Sequence, residues 1–215
     1  MRVPIPYVAA RSTELPPLVS DLCVEVPPNG KPRLAYTRPH PGDRDAHGNL
    51  WARMTAGEGG TVLYHSMHPT RQRRCMENLW CQVCAQPAPT AAGTLFIEWQ
   101  HPDEPPLRLE RVVTDMPPVC PACALLSLKY CPFLREEEAE PVLLLARKSV
   151  VSGVSGTLYR VQGDREGWTA SEEDVYSSYT QPRHPGLLAQ RLYRKLRGVS
   201  VLDPDSLTDR QDHPS

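Results

Sequence analysis

The sequence predicts an α+β fold, in which short antiparallel strands and a few short helices surround a cysteine-bearing module. Proline accounts for 24 of the 215 residues, about twice its usual share. Because proline is excluded from helix interiors and central strands, the elements must be short, and a long-helix bundle is ruled out. Hydrophobic residues make up 40% and charged residues 23% of the chain, as in soluble globular domains, so a packed core is expected.

Short apolar or β-branched stretches bounded by turn residues predict the strands. Between the first two, Asn29-Gly30 favours a tight hairpin turn. The polar, turn-rich stretch 38–48 is predicted as a loop. In chain order, the strands are predicted at 22–26, 33–37, 50–54, 61–65, 93–99, 107–113, 142–146, 156–161 and 199–202.

Apolar spacing predicts three helices. The first covers 69–79 and begins with a proline, which the first helical turn tolerates. The second covers 124–131, directly after a C-x-x-C pair. The third covers 185–197, where leucines recur at i, i+4 and i+8, as on one face of an amphipathic helix. These leucines are Leu188, Leu192 and Leu196.

The chain is predicted to form one domain with an arm and a tail. Residues 1–20 hold four prolines and no clear periodicity, so an extended N-terminal arm is expected. Residues 21–202 form the domain, with its cysteine module at about 79–135, and residues 203–215 form a flexible C-terminal tail. The start has no signal-peptide pattern, and the longest apolar run, 142–146, is too short to span a membrane. We therefore expect a cytoplasmic protein without a membrane partner.

Two C-x-x-C pairs are the strongest chemical signal in the sequence. They are Cys81/Cys84 and Cys120/Cys123, with 35 residues between them. Zinc takes four ligands at tetrahedral corners, and two such turns supply all four thiolates. Without an export signal, a metal is favoured over disulfides, and no βαβ pattern suggests redox chemistry. The sequence predicts one structural Zn²⁺ per chain, and the helix dipole at the second pair is expected to favour thiolates.

The order of knuckle, strand pair and helix resembles the treble-clef family of zinc fingers. The resemblance covers about 81–133, from Cys81-Gln82-Val83-Cys84 through strands at 93–99 and 107–113 to Cys120-Pro121-Ala122-Cys123 and its helix. More loosely, the whole chain is similar to uncharacterised actinobacterial or phage proteins with a C-Q-V-C segment and a later C-x-x-C. These resemblances imply a zinc-binding module and no particular activity.

The remaining cysteines and a histidine pair are weaker candidates for metal binding. Cys75 lies six residues before Cys81 and is an alternative ligand, but Cys23, Cys75 and Cys131 are predicted mainly as packing thiols. His65 and His68 have an i, i+3 spacing, although Pro69 places His68 at the helix entrance, where capping or solvent exposure is expected.

A site closed by four thiolates leaves no position for an activated water, so the zinc is predicted to stabilise the fold. The expected function is that of a binding or scaffold protein, with a protein or nucleic-acid partner. An alternative is an HNH-like nuclease that uses His101, because this family resembles a treble clef with a histidine between the pairs. Gln100 and Ala124 depart from that family's pattern, which requires an acidic residue and a His or Asn at these positions.

Charge is nearly balanced, with a formal net value of −1, which excludes a protein that coats nucleic acid over its whole surface. Two local basic clusters are nevertheless present, and either of them offers charge for phosphate contacts. They comprise Arg71, Arg73 and Arg74, and then Arg183, Arg191, Arg194, Lys195 and Arg197. A further alternative is a component of a phage-like assembly, in which the arm 1–20 mediates contacts in a homo-oligomer or larger particle.

Overall fold

The computed structural model describes residues 5–16, 18–28, 31–55, 57, 59–100, 103, 105–135, 140–161 and 168–207. Its helices are α1, Pro69–Asn78, and α2, Pro121–Tyr130. Its strands are β1, Ala9–Arg11; β2, Leu22–Glu25; β3, Arg33–Tyr36; β4, Leu50–Trp51; β5, Val62–Met67; β6, Thr94–Gln100; β7, Val113–Thr114; β8, Glu140–Val161; β9, Trp168–Ser178; and β10, Leu187–Val201.

Most strands belong to one mixed sheet with the hydrogen-bonded order β4-β10-β8-β6, in which β7 also pairs with β10 and β9 with β8. β10 runs parallel to β4 and antiparallel to β7. Two further pairs are β1 with β5 and β2 with β3. The predicted α+β class is therefore confirmed. The predicted β2–β3 pairing is also confirmed, with Leu22 opposite Tyr36, while the turn at Asn29-Gly30 lies outside the described residues.

The chain divides into two compact units. The first, called here the cysteine unit, comprises Met1–Ala10, Val62–Val151 and Tyr193–Ser215. In this unit β6 pairs antiparallel with the first part of β8. Because strand side chains alternate in direction, Leu95 and Ile97 pack on one face with the cysteines. Phe96 packs on the other face, in a cluster with Leu144 and Leu196.

The second unit, called here the Tyr36 unit, comprises Arg11–Thr61 and Ser152–Leu192. Its apolar cluster consists mainly of residues from β2, β3, β4 and β10: Leu22, Leu34, Tyr36, Leu50, Ala52 and Leu188. A polar network adjoins this cluster. The Arg53 guanidinium lies 3.9 Å from the centre of the Tyr36 ring and donates hydrogen bonds to both carboxylate oxygens of Asp43.

The predicted helix at 185–197 is wrong, because this segment is strand β10. A spacing of four residues is close to one helical turn, but it is also a multiple of the two-residue strand repeat. Leu188, Leu192 and Leu196 therefore share one face of a strand equally well, and all three are buried. Arg194 lies between Leu192 and Leu196 on that face and is itself buried. Because a charged residue stands at a buried position, the sequence does not show the alternation of apolar and polar residues that indicates a strand.

The predicted strand at 107–113 is also wrong for most of its length. It is replaced by a short 3-10 helix at Leu109–Arg111 and by the two-residue β7, which pairs with β10. β6 instead pairs with β8, from Thr94 opposite Ala146 to Gln100 opposite Glu140. The expected hairpin between the cysteine pairs, on which the treble-clef resemblance partly depends, is therefore not formed.

The two strands predicted at 142–146 and 156–161 are parts of β8, which is 22 residues long. The glycines within β8 permit close approach of neighbouring strands. A Cβ atom at Gly156 would lie 2.0 Å from the carbonyl oxygen of Leu188, and one at Gly153 would lie 2.5 Å from that of Ser177. Among the described residues, no helix is both long and apolar enough to cross a lipid bilayer.

Candidate metal centre

The structure brings the four predicted cysteines together. The Sγ atoms of Cys81, Cys84, Cys120 and Cys123 all lie within 4.8 Å of one another. The Sγ atoms of Cys84 and Cys120 are 3.9 Å apart, too far for a disulfide. A tetrahedral Zn–S₄ site with bonds of about 2.3 Å separates its sulfurs by about 3.8 Å. The sulfur positions therefore match the spacing that a tetrahedral metal ion requires.

The first pair is held in a tight turn. The amide of Ala85 donates to the carbonyl oxygen of Cys81 at 2.9 Å, and the amide of Cys81 donates to Gln86 O at 2.7 Å. Ala85 adopts a left-handed conformation with φ 56°, which closes the turn after Cys84. The amide of Val83 also donates to Cys81 Sγ at 3.4 Å. This turn thereby directs backbone donors at a sulfur atom.

Two neighbouring segments position this turn. α1 ends at Asn78, and its C-cap residue Leu79 takes the left-handed conformation with φ 54°. The chain therefore reverses just before Cys81. On the other side, the amides of Tyr7 and Val8 donate to the carbonyl oxygens of Val83 and Gln82, each at 3.1 Å. The sequence predicts no strand in this N-terminal segment. Its apolar run at 8–10, which is buried, was the available signal.

The second pair is carried by the start of α2. Cys120 is the N-cap residue and Pro121 occupies the first turn, so the pair lies at a helix N-terminus as predicted, although the helix begins three residues before the predicted start at 124. The preceding residue is fixed by a hydrogen bond from the amide of Val119 to Leu95 O at 2.9 Å, which ties the pair to β6. This pair therefore sits between a strand and a helix, both of which contribute to the core.

Gln82 joins the two pairs directly. Its amide donates to Pro118 O at 2.8 Å, and its side-chain Nε2 donates to Pro117 O at 3.0 Å. Both acceptors lie just before Cys120. The sequence offered no sign of this role beyond the position of Gln82 between two cysteines. We expect Gln82 to set the distance between the pairs independently of any metal.

Burial differs among the four sulfur-bearing residues. Cys81 is 0% and Cys123 8% exposed, whereas Cys120 is half-buried and Cys84 is exposed. An apolar shell that includes Val83, Leu95, Ile97, Val119 and Leu134 packs against them. The centre thus has one side in the core and one side at the surface, which gives a metal ion or a chelator a route of entry.

The pKa values differ among these thiols. Burial by itself raises the pKa of Cys81, but hydrogen bonds from the backbone of Cys120, Cys84 and Val83 lower it below the ordinary value. Burial raises the pKa of Cys120 and of Cys123. Hydrogen bonds from Cys123 oppose the rise in the pKa of Cys120, whereas the neighbouring thiols of Cys120 and Cys81 add to the rise in the pKa of Cys123. Without a metal ion, the pKa of both thiols of the second pair therefore lies above the ordinary value, with burial as the largest cause, and not below it as the helix position predicts. A divalent cation among them would favour the thiolates, since it compensates their charge.

The donor set indicates which ions fit. Four thiolates at tetrahedral spacing suit zinc or iron and exclude the oxygen-preferring ions magnesium and calcium. With all four positions taken by protein sulfur, such an ion has no open site for water or substrate. Chemically, the arrangement can cross-link the knuckle at 81–84 to the start of α2.

The other three cysteines are not part of this cluster. Cys75 is fully buried in α1 with its Sγ 3.9 Å from Cys81 O, and burial raises its pKa to about 12. Cys131 follows α2 and packs against the apolar shell. Cys23 is half-buried in β2. These positions are consistent with the predicted packing roles.

The predicted histidines take no part in the metal centre that the described residues form. His68 is the N-cap of α1, as predicted, but its side chain makes no capping hydrogen bond. His65 is exposed on β5. Within the described ranges, the four cysteines form the one grouping of three or more metal-ligating side chains. His101, the candidate for nuclease catalysis, lies outside the described residues.

Comparison with protein-family models, with curated proteins and with solved structures finds no match to this chain. The functional argument therefore depends on the site itself.

Proposed function

We propose that this protein is a zinc-stabilised binding or scaffold protein, in which one structural Zn²⁺ is held by the four cysteines. The observation that carries the proposal is the convergence of four Sγ atoms within 4.8 Å of one another, on two segments that are far apart in sequence. Zinc is favoured over iron because structural four-cysteine sites built from two C-x-x-C turns are characteristic of zinc.

The structural role follows from the coordination. Four protein thiolates complete a tetrahedron, so the ion activates no water and its contribution is to folding. Its ligands belong to the knuckle and to α2, and both pack into the same apolar cluster. Binding would therefore stabilise the cysteine unit and leave its surface to contact a partner, as in the treble-clef modules that the sequence resembles.

Hydrogen exchange on the full chain, before and after removal of the metal with a high-affinity zinc chelator, tests this role. We expect amides at 81–88 and 117–130 to lose protection when the metal is removed, and to regain it when zinc is restored. Amides of β3 and β4 in the Tyr36 unit serve as the internal reference, because that unit contains none of the four cysteines. Unchanged protection at 81–88 and 117–130 would refute a structural metal.

A further inference from the structure

A basic surface lies on the ladder formed by β7 and β10 in the cysteine unit. In this antiparallel pair, Thr114 is opposite Arg194 and Val113 is opposite Lys195. Alternate residues point to opposite faces of a sheet, and burial separates the faces here. The inner face is made of buried side chains: Val112, Thr114, Arg194 and Leu196. Val113 and Lys195 are exposed and define the outer face.

Further cations join Lys195. The amide of Leu196 donates to Val112 O at 2.9 Å. Arg197, which follows Leu196, and Arg111, which precedes Val112 at the end of the short 3-10 helix, are both exposed. The two arginines therefore flank a single hydrogen bond between neighbouring segments. Like charges brought together in this way repel each other, which is a cost without an evident structural gain.

β8 contributes one more cation. A Cβ atom added to Gly198 would lie 3.2 Å from the Cβ and Cδ atoms of Arg147, so the Arg147 side chain passes directly over Gly198, beside Arg197. Arg147 is exposed, whereas Lys148, the next residue of the strand, belongs to the opposite face. We call these four residues the cationic face: Arg111, Arg147, Lys195 and Arg197.

The charges of the cationic face are not paired with carboxylates of the described residues. None of its four members forms an ion pair with another described residue, whereas Arg33, Arg44, Arg53 and Arg73 each pair with a carboxylate. Glu110 and Asp115 are the acidic neighbours in sequence, so four cations stand against two carboxylates and a local excess of positive charge remains. In a chain with a formal net charge of −1, this excess is a local feature and does not reflect a generally basic protein.

The strand beneath this face is held in place. Buried Arg194 donates through Nε to Ser149 Oγ at 2.9 Å and through Nη2 to Ser149 O at 3.0 Å. It also donates through Nη1 to Met76 O near the end of α1. These bonds fix β10 to β8 and to the helix, so the cations are presented from a rigid base, which lowers the entropic cost of binding a ligand.

We propose that the cationic face binds the phosphate backbone of a nucleic-acid duplex. Residues two apart on a strand are spaced by roughly 7 Å and adjacent strands by about 5 Å, so the charges form a flat array suited to a row of phosphates. The aromatic residue nearest to these cations along the strand, Tyr193, is half-buried, so the contacts offered are mainly to phosphates and recognition is expected to be independent of sequence. The neighbouring exposed apolar residue, Val113, lacks the size of the Trp, Phe or Leu anchors used at lipid surfaces.

This inference specifies the partner of the proposed binding role, and it is tested with zinc-loaded full-length protein. Fluorescence anisotropy of a labelled duplex DNA of about 20 base pairs is measured as salt is raised. Four phosphate contacts predict that log K falls with log [salt] with a slope of about −3 to −4. The double substitution Lys195→Glu and Arg197→Glu is expected to weaken binding at least about tenfold and to reduce the slope by about 2.

The matched control is Arg160→Glu, an exposed position of β8 in the Tyr36 unit, which should leave affinity and slope unchanged. If the double variant loses its fold, Arg147→Ala tests the same face from another strand. Absence of salt-dependent binding would overturn the proposal, as would equal losses in the Arg160→Glu control. Binding to anionic vesicles or polyglutamate without binding to DNA would also overturn it.

Metal content of each variant separates this inference from the proposed function. Loss of DNA binding with zinc retained would confirm the cationic face and leave the metal site intact. A wild-type protein that contains no zinc would contradict the proposed function, while the anisotropy measurement would still decide the role of the face.

Discussion

The cysteine unit and the Tyr36 unit connect distant segments of the chain by different interactions. In the cysteine unit, four thiols converge from segments that are 36 residues apart in the case of Cys84 and Cys120. In the Tyr36 unit, Arg53 lies over Tyr36 and is paired with Asp43. The first arrangement calls for a cation, because its charged forms repel one another. The second is already neutral within itself.

A second network extends this contrast. Burial by itself raises the pKa of Asp45, but hydrogen bonds from Asn49, Trp51 and Tyr179 lower it below the ordinary value. The bond from Tyr179 Oη spans 134 residues of sequence. Long-range contacts in this proline-rich chain are therefore of two kinds: one is a cluster of four thiols positioned for a metal ion, and the other consists of carboxylates and their hydrogen-bond donors. The predictions below separate the two.

The largest effect is expected from Cys81→Ser. It removes a fully buried ligand, and the free energy with which structural zinc binds, about 10–16 kcal/mol, is comparable to the whole stability of a domain. We predict loss of bound metal and of cooperative unfolding of the cysteine unit, measured by metal analysis and urea titration. Cys23→Ser in the Tyr36 unit is the matched control and should keep both. Retention of metal by Cys81→Ser would contradict the assignment.

Gly156→Ala should destabilise the Tyr36 unit without affecting metal content. The added Cβ atom would lie 2.0 Å from Leu188 O, so the strands must separate, at a cost of about 3 kcal/mol. Gly42→Ala is the control, since its Cβ atom would meet an ordinary contact at 3.7 Å. Urea unfolding and zinc content are measured together; equal stability of the two variants would show that the strand contact is not close.

Asp43→Asn should cost about 2 kcal/mol, because it removes the charge that accepts two hydrogen bonds from Arg53 and one from the amide of His40. Zinc content should be unchanged. Glu77→Gln, which breaks the exposed i, i+4 pair with Arg73, should cost less than about 0.5 kcal/mol. Similar losses for the two variants in denaturant titrations would mean that the Asp43 network contributes no more than a surface ion pair.

The smallest effect concerns Glu98, a half-buried residue of β6. Burial raises the pKa of its carboxyl to about 7, a hydrogen bond from Thr114 opposes this, and nearby Asp115 adds to it. Because the folded pKa exceeds the unfolded one, the protonated form stabilises the fold at low pH, and this contribution is lost as the pH rises from about 4.5 through about 7.

Glu98→Gln should therefore be more stable than wild type by about 1 kcal/mol at about pH 8.5, and nearly equal to it at about pH 5. The measurement is the difference in unfolding free energy between the two proteins at each pH, with zinc present. A difference that does not change with pH would show that Glu98 titrates alike in the folded and unfolded chains.

The parts of the fold that follow from local pattern were predictable. The cysteine pairs, α1, α2 and the β2–β3 pair each depend on residues close in sequence. Strand β10 was not predictable, because leucines four apart fit a helix and a strand alike, and buried Arg194 interrupted the alternation. The pairing of β6 with β8 was not predictable either, since strand pairing is decided by segments distant in sequence.

The site shows the same division. The four cysteines were identified from their spacing, whereas Gln82 and the segment at 7–8 became visible only through backbone hydrogen bonds to carbonyl groups. The Asp43 and Asp45 networks lie in a stretch that the sequence describes merely as a polar loop. Arg53 and Tyr179, which complete these networks, carry no local signal. Lys195 and Arg197 were recognised as basic, but the strand that aligns them with Arg111 was not.

The most direct test of the account is the metal content of purified protein, measured by mass spectrometry of the elements per chain. The account predicts one zinc in the wild-type protein and none in Cys81→Ser or Cys120→Ser. Wild-type protein free of zinc when purified under reducing conditions, or zinc that persists in both variants, would contradict it.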